Sequence, residues 1–255
     1  MNANRRRFAL CALGAATLIA AQGPAQAWSW NWGSGERVAG NGDIATEARD
    51  VSGFDAVSLS GGFDVVIRQG SGSKVELKAD RNLLPYIETR LADGGKGRTL
   101  EIAPKRGYNL SFNGTPTITI EMPALRAVSV AGSGNVRAEG IKTAGLDASV
   151  AGSGDIRFTD LSAERLGLKV SGSGDIYASG RAGQLGISIA GSGNVKVAEL
   201  AAEEVKVSIA GSGDAQVQAS KRLQVSIAGS GDVRYAGSPE ISSSIAGSGK
   251  VRKLN

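Results

Sequence analysis

The chain has 255 residues, with 29 Lys and Arg against 24 Asp and Glu, one cysteine and no histidine. The missing imidazoles exclude Ser-His-Asp triads and histidine bases, and with a single cysteine there is neither a disulfide framework nor a zinc site built on Cys and His. Setting aside the leader arginines Arg5, Arg6 and Arg7 leaves 26 basic residues against 24 acidic, so the net charge of +5 falls to +2 and gives no argument for a nucleic-acid partner.

Those three arginines precede an apolar run from Phe8 to Ala21, too short to span a bilayer, and Ala25-Gln26-Ala27 supplies a small-residue cleavage signal. Residues 1–27 therefore read as a signal peptide, with export to the periplasm, the cell surface or the medium. The Arg5-Arg6-Arg7-Phe8 string fits the twin-arginine route as well as the Sec route. Cys11 lies within the apolar run rather than just after it, which argues against a lipid-anchored cysteine. No later stretch is long and apolar enough for a transmembrane segment. Residues 28–35 form a Trp/Gly-rich tail in which Trp28, Trp30 and Trp32 alternate. A mobile tail or packing onto the first coil is the ordinary reading of these rings, and sugar stacking or a membrane interface is the alternative.

Residues 36–123 carry no clear period but are rich in strand signals. Alternation over Phe54–Leu59, Phe63–Arg68, Lys74–Lys78, Leu100–Ala103 and Thr117–Met122 predicts short half-buried strands. Asn82–Leu91 interrupts them with a helix-compatible pattern. Ala39-Gly40-Asn41-Gly42-Asp43-Ile44 looks like a degenerate copy of the repeat that follows. Asn109-Leu110-Ser111 and Asn113-Gly114-Thr115 are formal glycosylation sequons, of consequence only in a glycosylating host. The region is placed to form irregular N-terminal coils or a cap, continuous with the repeats as one domain.

From residue 124 to 255 a Gly-Ser-Gly motif recurs seven times, beginning after Ala131, Ala151, Ser171, Ala190, Ala210, Ala228 and Ala246, at spacings of 20, 20, 19, 20, 18 and 18 residues. Self-similarity at a nearly fixed period is the mark of a stacked repeat, here with about 18–20 residues per coil. Before each motif apolar residues alternate, as in Leu146, Ala148, Val150 or Val205, Val207, Ile209, and a second short alternation follows, as in Ile156, Phe158. Each repeat thus reads as strand, glycine corner, strand, return turn. Counting in twos from Val150 through Gly152 and Gly154 to Ile156 puts both glycines on the inward register, where a side chain would collide with the interior. The structural corners are accordingly Gly132, Gly134, Gly152, Gly154, Gly172, Gly174, Gly191, Gly193, Gly211, Gly213, Gly229, Gly231, Gly247 and Gly249. A phosphate loop would need one copy, a following helix and, in the Walker form, a Lys-Ser/Thr pair, and none of these is present.

The outward positions form columns. After the second glycine come Asn135, Asp155, Asp175, Asn194, Asp214, Asp232 and Lys250, and two residues later Arg137, Arg157, Tyr177, Lys196, Gln216, Arg234 and Arg252. Stacked about 4.8 Å apart, these make an acidic or amide ladder beside a largely basic one. Local capping of the corner amides is the ordinary role for the first ladder. Calcium binding at Asp155, Asp175, Asp214 and Asp232 is the alternative, although the nine-residue calcium repeat is not matched. A serine file at Ser129, Ser149, Ser188, Ser208, Ser226 and Ser244, broken by Lys169, lacks a catalytic base and reads as a surface stripe. No cofactor site is visible.

The blocks GNGDIATEARDVSGFDAVSLSGGFDVVIRQG, LKADRNLLPYIETRL, TLEI and PALRAVSVAGSGNV, followed by serial Gly-Ser-Gly-Asp/Asn repeats, resemble the auto-transporter adhesin head GIN domain family over roughly residues 36–252. The resemblance implies a right-handed parallel β-helix, all-β and pectin-lyase-like, with cell adhesion as its role. It implies no catalytic residues. The repeats run on without the amphipathic strands of an outer-membrane barrel. The expectation is a non-enzymatic, adhesin-like exported β-solenoid presenting polar stripes to a surface, protein or glycan along a rod on the order of 34 Å. The alternatives are a polysaccharide lyase or hydrolase on the same scaffold and a periplasmic structural accessory.

Overall fold

A computed structural model describes residues 35–94 and 97–254. The expected leader, Cys11 and the three tryptophans lie outside the described residues. The N-terminal half contains β1 (Glu36–Ala39), β2 (Ile44–Arg49), β3 (Ala56–Ser60), β4 (Asp64–Gln69), β5 (Lys74–Asp80), β6 (Ile87–Gly94), β7 (Gly97–Pro104), β8 (Tyr108–Ser111) and β9 (Thr117–Met122). The repeats supply β10 (Ala127–Gly132), β11 (Asn135–Glu139), β12 (Lys142–Gly152), β13 (Asp155–Gly172), β14 (Ile176–Gly191), β15 (Val195–Gly211), β16 (Ala215–Gly229), β17 (Val233–Gly237), β18 (Glu240–Gly247) and β19 (Val251–Lys253). The repeat strands stack in parallel, coil on coil, to form a β-solenoid.

The expected period-two pattern is what buries the core. Val130, Val150, Val170, Ile189, Ile209 and Ile227 form one inward column, each 1% exposed. Their register is fixed by parallel pairing of β10 with β12 and so on to β16. Each such side chain contributes about 1.5–3 kcal/mol on burial. The alternate residues face outward, so a slip of one residue would turn a whole apolar column into solvent.

Unequal repeat lengths are absorbed on one side of the coil only. Between Phe158 and Leu161, Tyr177 and Gly180, and Val197 and Ala201 the pairing register shifts, while Gly172, Gly191, Gly211 and Gly229 stay in line. The return turn is therefore a bend or bulge within a long bent strand, not a separate loop. Its φ of 55° at Asp160 is the one positive value at a described non-glycine residue, a backbone conformation that aspartate tolerates better than most.

The N-terminal strands are not laid down in chain order. β3 pairs in parallel with both β7 and β10, and β4 with both β9 and β11. The coil of β3 and β4 therefore lies between that of β7 and β9 and the first regular coil, and the chain crosses back over it after Met122. A bidentate Arg126–Asp55 pair (3.0 and 3.1 Å) aligns the starts of β10 and β3. Gln69 at the end of β4 donates to the carbonyls of Pro123 and Lys142 and accepts from the Lys142 N–H. Antiparallel strands then close this end: β6 along β7, β5 along β9, and β2 along β5.

Two local expectations are corrected. Asn82–Leu91 holds only a 3-10 turn over Leu84–Tyr86, after which the chain is strand. Pro85 lacks the N–H a longer helix would need, and Ile87 and Thr89 pair with Pro104 and Ile102 instead. Ala39–Ile44 has the letters of the repeat but none of its stacking. Gly40 leaves room for the buried Asp80 carboxylate, which accepts N–H bonds from Gly42 (2.7 Å) and Asn113 (3.0 Å). The true degenerate copy is Ser58–Val65, whose Ser58, Leu59 and Asp64 align with Ser129, Val130 and Asn135.

Candidate functional site

At every regular corner the two glycines differ. The first has a positive φ, 131° at Gly152 and 129° at Gly172, and a Cβ on Gly152 would lie 2.5 Å from the Gly132 carbonyl oxygen. The second is buried at ordinary φ, and a Cβ on Gly154 would press on the Gly134 carbonyl and lie 2.9 Å from Val130 Cγ1. The first glycine thus answers a backbone and a space requirement together, the second a space requirement alone. In the Ser58–Val65 copy Phe63 takes the second position. Its ring is fully buried and sits edge-on to Phe112 at 5.7 Å.

The corner amides are already in use. The Gly132 carbonyl accepts from both Ser153 N–H (2.9 Å) and Gly154 N–H (3.0 Å), and Gly152 accepts likewise from Ser173 (2.8 Å) and Gly174 (3.0 Å). The pattern continues to Ser248 and Gly249 on Gly229. A phosphate cradle needs such N–H groups free.

The acidic and amide column caps amides, but one coil away. Asp155 Oδ1 accepts from the Asp175 N–H (2.9 Å), Asp175 from Asn194 (2.9 Å), Asn194 from Asp214 (3.2 Å), Asp214 from Asp232 (2.8 Å) and Asp232 from Lys250 (2.9 Å). The column begins at Asp64, which accepts from Asn135 Nδ2 at 2.8 Å. The bonds run between coils because these residues lie on the straight edge leaving the corner, directly under the next amide. The four aspartates named as calcium candidates each commit one oxygen to this ladder. Among the described residues no three His, Cys, Asp or Glu side chains group to hold a metal.

Within the basic column Tyr177 separates Arg157 from Lys196. The Arg157 guanidinium lies 4.2 Å from the ring centroid on one side and the Lys196 ammonium 5.0 Å on the other, a pair of cation–π contacts in place of like-charge repulsion. The Tyr177 hydroxyl donates to Asp175 Oδ2 (3.0 Å), and Lys196 donates to the same oxygen at 3.1 Å. Burial pushes the Asp175 carboxyl up, but bonds from Asn194, Lys196 and Tyr177 outweigh it and hold the group below the usual aspartate range. Lys196 is pushed up by Tyr177 and Asp175. The serine file is in register from Ser58 through Ser129 and Ser149, past Lys169, to Ser244.

Along the return bends runs an open groove of about 840 Å³, floored by Ala163, Ala182, Ala202 and Ala219. Of the acidic residues on its rim, Glu203 is paired with Lys221 at 2.6 Å. The molecule thus defines a class: a β-solenoid whose corner amides are bonded coil to coil and whose outward polar side chains stand in register.

Residues 53–239 match the family described as "Putative auto-transporter adhesin, head GIN domain", and the chain belongs to that family. No curated protein matches the sequence. A solved structure titled "putative adhesin" from Bacteroides fragilis is similar at a TM-score of 0.80 and 24% identity, over 85% of this chain and all of that one. A "putative lipid binding protein" from Parabacteroides distasonis is similar at 0.72 and 28%, over 86% of this chain and all of the other. A "putative adhesin" from Parabacteroides merdae aligns at 0.66 and 24% over 86% and 100%. Among the described residues no helix is long and apolar enough to cross a membrane.

Proposed function

We propose that the protein is a non-enzymatic, exported adhesin-like rod that binds a surface, protein or glycan through ladders repeated once per coil. The observation that carries this is the register of the outward columns: Arg137, Arg157, Tyr177 and Lys196 follow one another coil by coil, as do the serines. Side chains about 4.8 Å apart along a rigid rod favour many weak contacts over one deep pocket. Family membership supports adhesion, and the leader-like segment supports export to the periplasm or cell surface. The four column aspartates are better suited to holding coils together than to holding calcium. The Gly-Ser-Gly corners serve as structural parts of the rod.

The test is attachment of purified protein to intact cells, matrix proteins and immobilised glycans over a concentration series. Saturable attachment without release of sugar ends is expected. Failure to attach to any of them, or calcium-dependent cleavage of a uronic polysaccharide, would overturn the reading.

A further inference from the structure

We propose that the C-terminal end of the solenoid is a self-association surface, on which β18 pairs antiparallel with β18 of a second copy about a two-fold axis through Ser243. The core column that is 1% exposed at Ile189, Ile209 and Ile227 ends in Ile245 at 41%, and Ile241, stacked on Leu223, is also 41% exposed. All eight residues of β18 are exposed, and among the described residues it pairs with β16 alone, leaving one edge of its backbone open. Such an edge invites another strand unless it is blunted.

The neighbouring strand is blunted and β18 is not. On the β19 side Lys250, Arg252 and Lys253 crowd three cations together, and Lys253 occupies the column of Tyr235. From Ile241 to Gly249 there is no charge at all. Among the described residues of the N-terminal half, β2, β5 and β6 pair antiparallel and the short β1 pairs in parallel with β8 over four residues, so head-to-tail growth finds no long parallel edge among them.

A second copy fits because Ile241-Ser242-Ser243-Ser244-Ile245 reads the same in both directions. Antiparallel pairing with Ser243 opposite Ser243 sets Ile241 of each copy against Ile245 of the other, all on the core side. Ser242 then meets Ser244 on the outer side. A shift of one residue would place core-facing positions against outward ones. Charge agrees with this arrangement. Glu240, the only acid between residues 238 and 254, lies at the end where the second copy turns towards its Lys250, while the two basic β19 strands fall on opposite flanks.

The experiment is sedimentation of the full chain over a wide concentration range, together with cysteine substitutions along β18. The expected species has twice the chain mass, and Ile245→Lys returns it to one chain with unchanged circular dichroism. Under mild oxidation Ser243→Cys is expected to cross-link to its own copy, because paired Cβ atoms across antiparallel strands lie near disulfide distance. Ser242→Cys or Ser244→Cys alone is not expected to cross-link, whereas their mixture is. The variants are made with Cys11→Ser, so a cross-link reports the introduced cysteine alone. A single-chain mass throughout, a dimer indifferent to Ile245→Lys, assemblies that keep growing with concentration, or equal cross-linking at positions 242 and 243 would overturn the proposal.

Discussion

A methyl group added at Gly154 would meet the Gly134 carbonyl and Val130, and one at Gly152 would meet the Gly132 backbone at a φ of 131°. Neither contact can relax without moving the adjacent coil. Gly154→Ala is therefore expected to cost about 1–3 kcal/mol in denaturant unfolding, the range for overpacking. Ser153→Ala, on the exposed residue between them, is expected to stay within about 0.5 kcal/mol. Equal effects at the two positions would contradict the corner assignment. Asp175 gives a pH prediction. Its native carboxyl is held below the unfolded value, so its contribution is complete above the ordinary aspartate value of about 3.9 and is lost as the pH falls through the native value. The stability difference between wild type and Asp175→Leu should be largest near neutral pH and shrink in acid, as read by urea titrations at several pH values. These roles were only partly legible in the sequence. The glycine spacing marked the corner, but the difference in φ between its two glycines depends on the coil below, and the ladder bonds join residues 18–20 positions apart.

At the scale of elements, the regular coils were the legible part because each repeats the same apolar alternation. What the sequence concealed was order. The coil of β3 and β4 is a repeat in which Phe63 replaces the second glycine, and the chain visits it before the coil that lies outside it. Alignment of SLSGGFDV with SVAGSGNV carries the signal, since Ser58, Leu59, Gly61, Asp64 and Val65 occupy repeat positions. The helix-like pattern at residues 82–91 misled because two leucines and a tyrosine at short spacing suit either a helix or a turn folded onto a core. In a stack each coil contacts only its neighbours, so whole coils are interchangeable units. Deleting Ser192–Gly211, one full coil, is expected to leave a folded protein with a single cooperative melt at lower temperature. Deleting half of that segment is expected to abolish the fold, because it would bring strand positions over glycine corners. Circular dichroism and calorimetry on the two deletions check this.

For the whole molecule, the family and the architecture were recognisable from repeated blocks, while the proposed binding surface was visible only as columns awaiting a register. The register turns Arg157, Lys196 and Arg234 into successive projections on one face, with Tyr177 and Gln216 between them. Binding spread over such a face should weaken in steps as contacts are removed, since multivalent attachment multiplies small affinities. Binding in one pocket should vanish with one residue. The most direct measurement is the attachment strength of purified protein to intact cells and immobilised matrix glycans as Arg157, Lys196 and Arg234 are changed to Gln singly, in pairs and together, with folding checked by circular dichroism. A graded loss that compounds with each substitution is the predicted result. Complete loss from any single change, or undiminished attachment by the triple variant, would contradict the account.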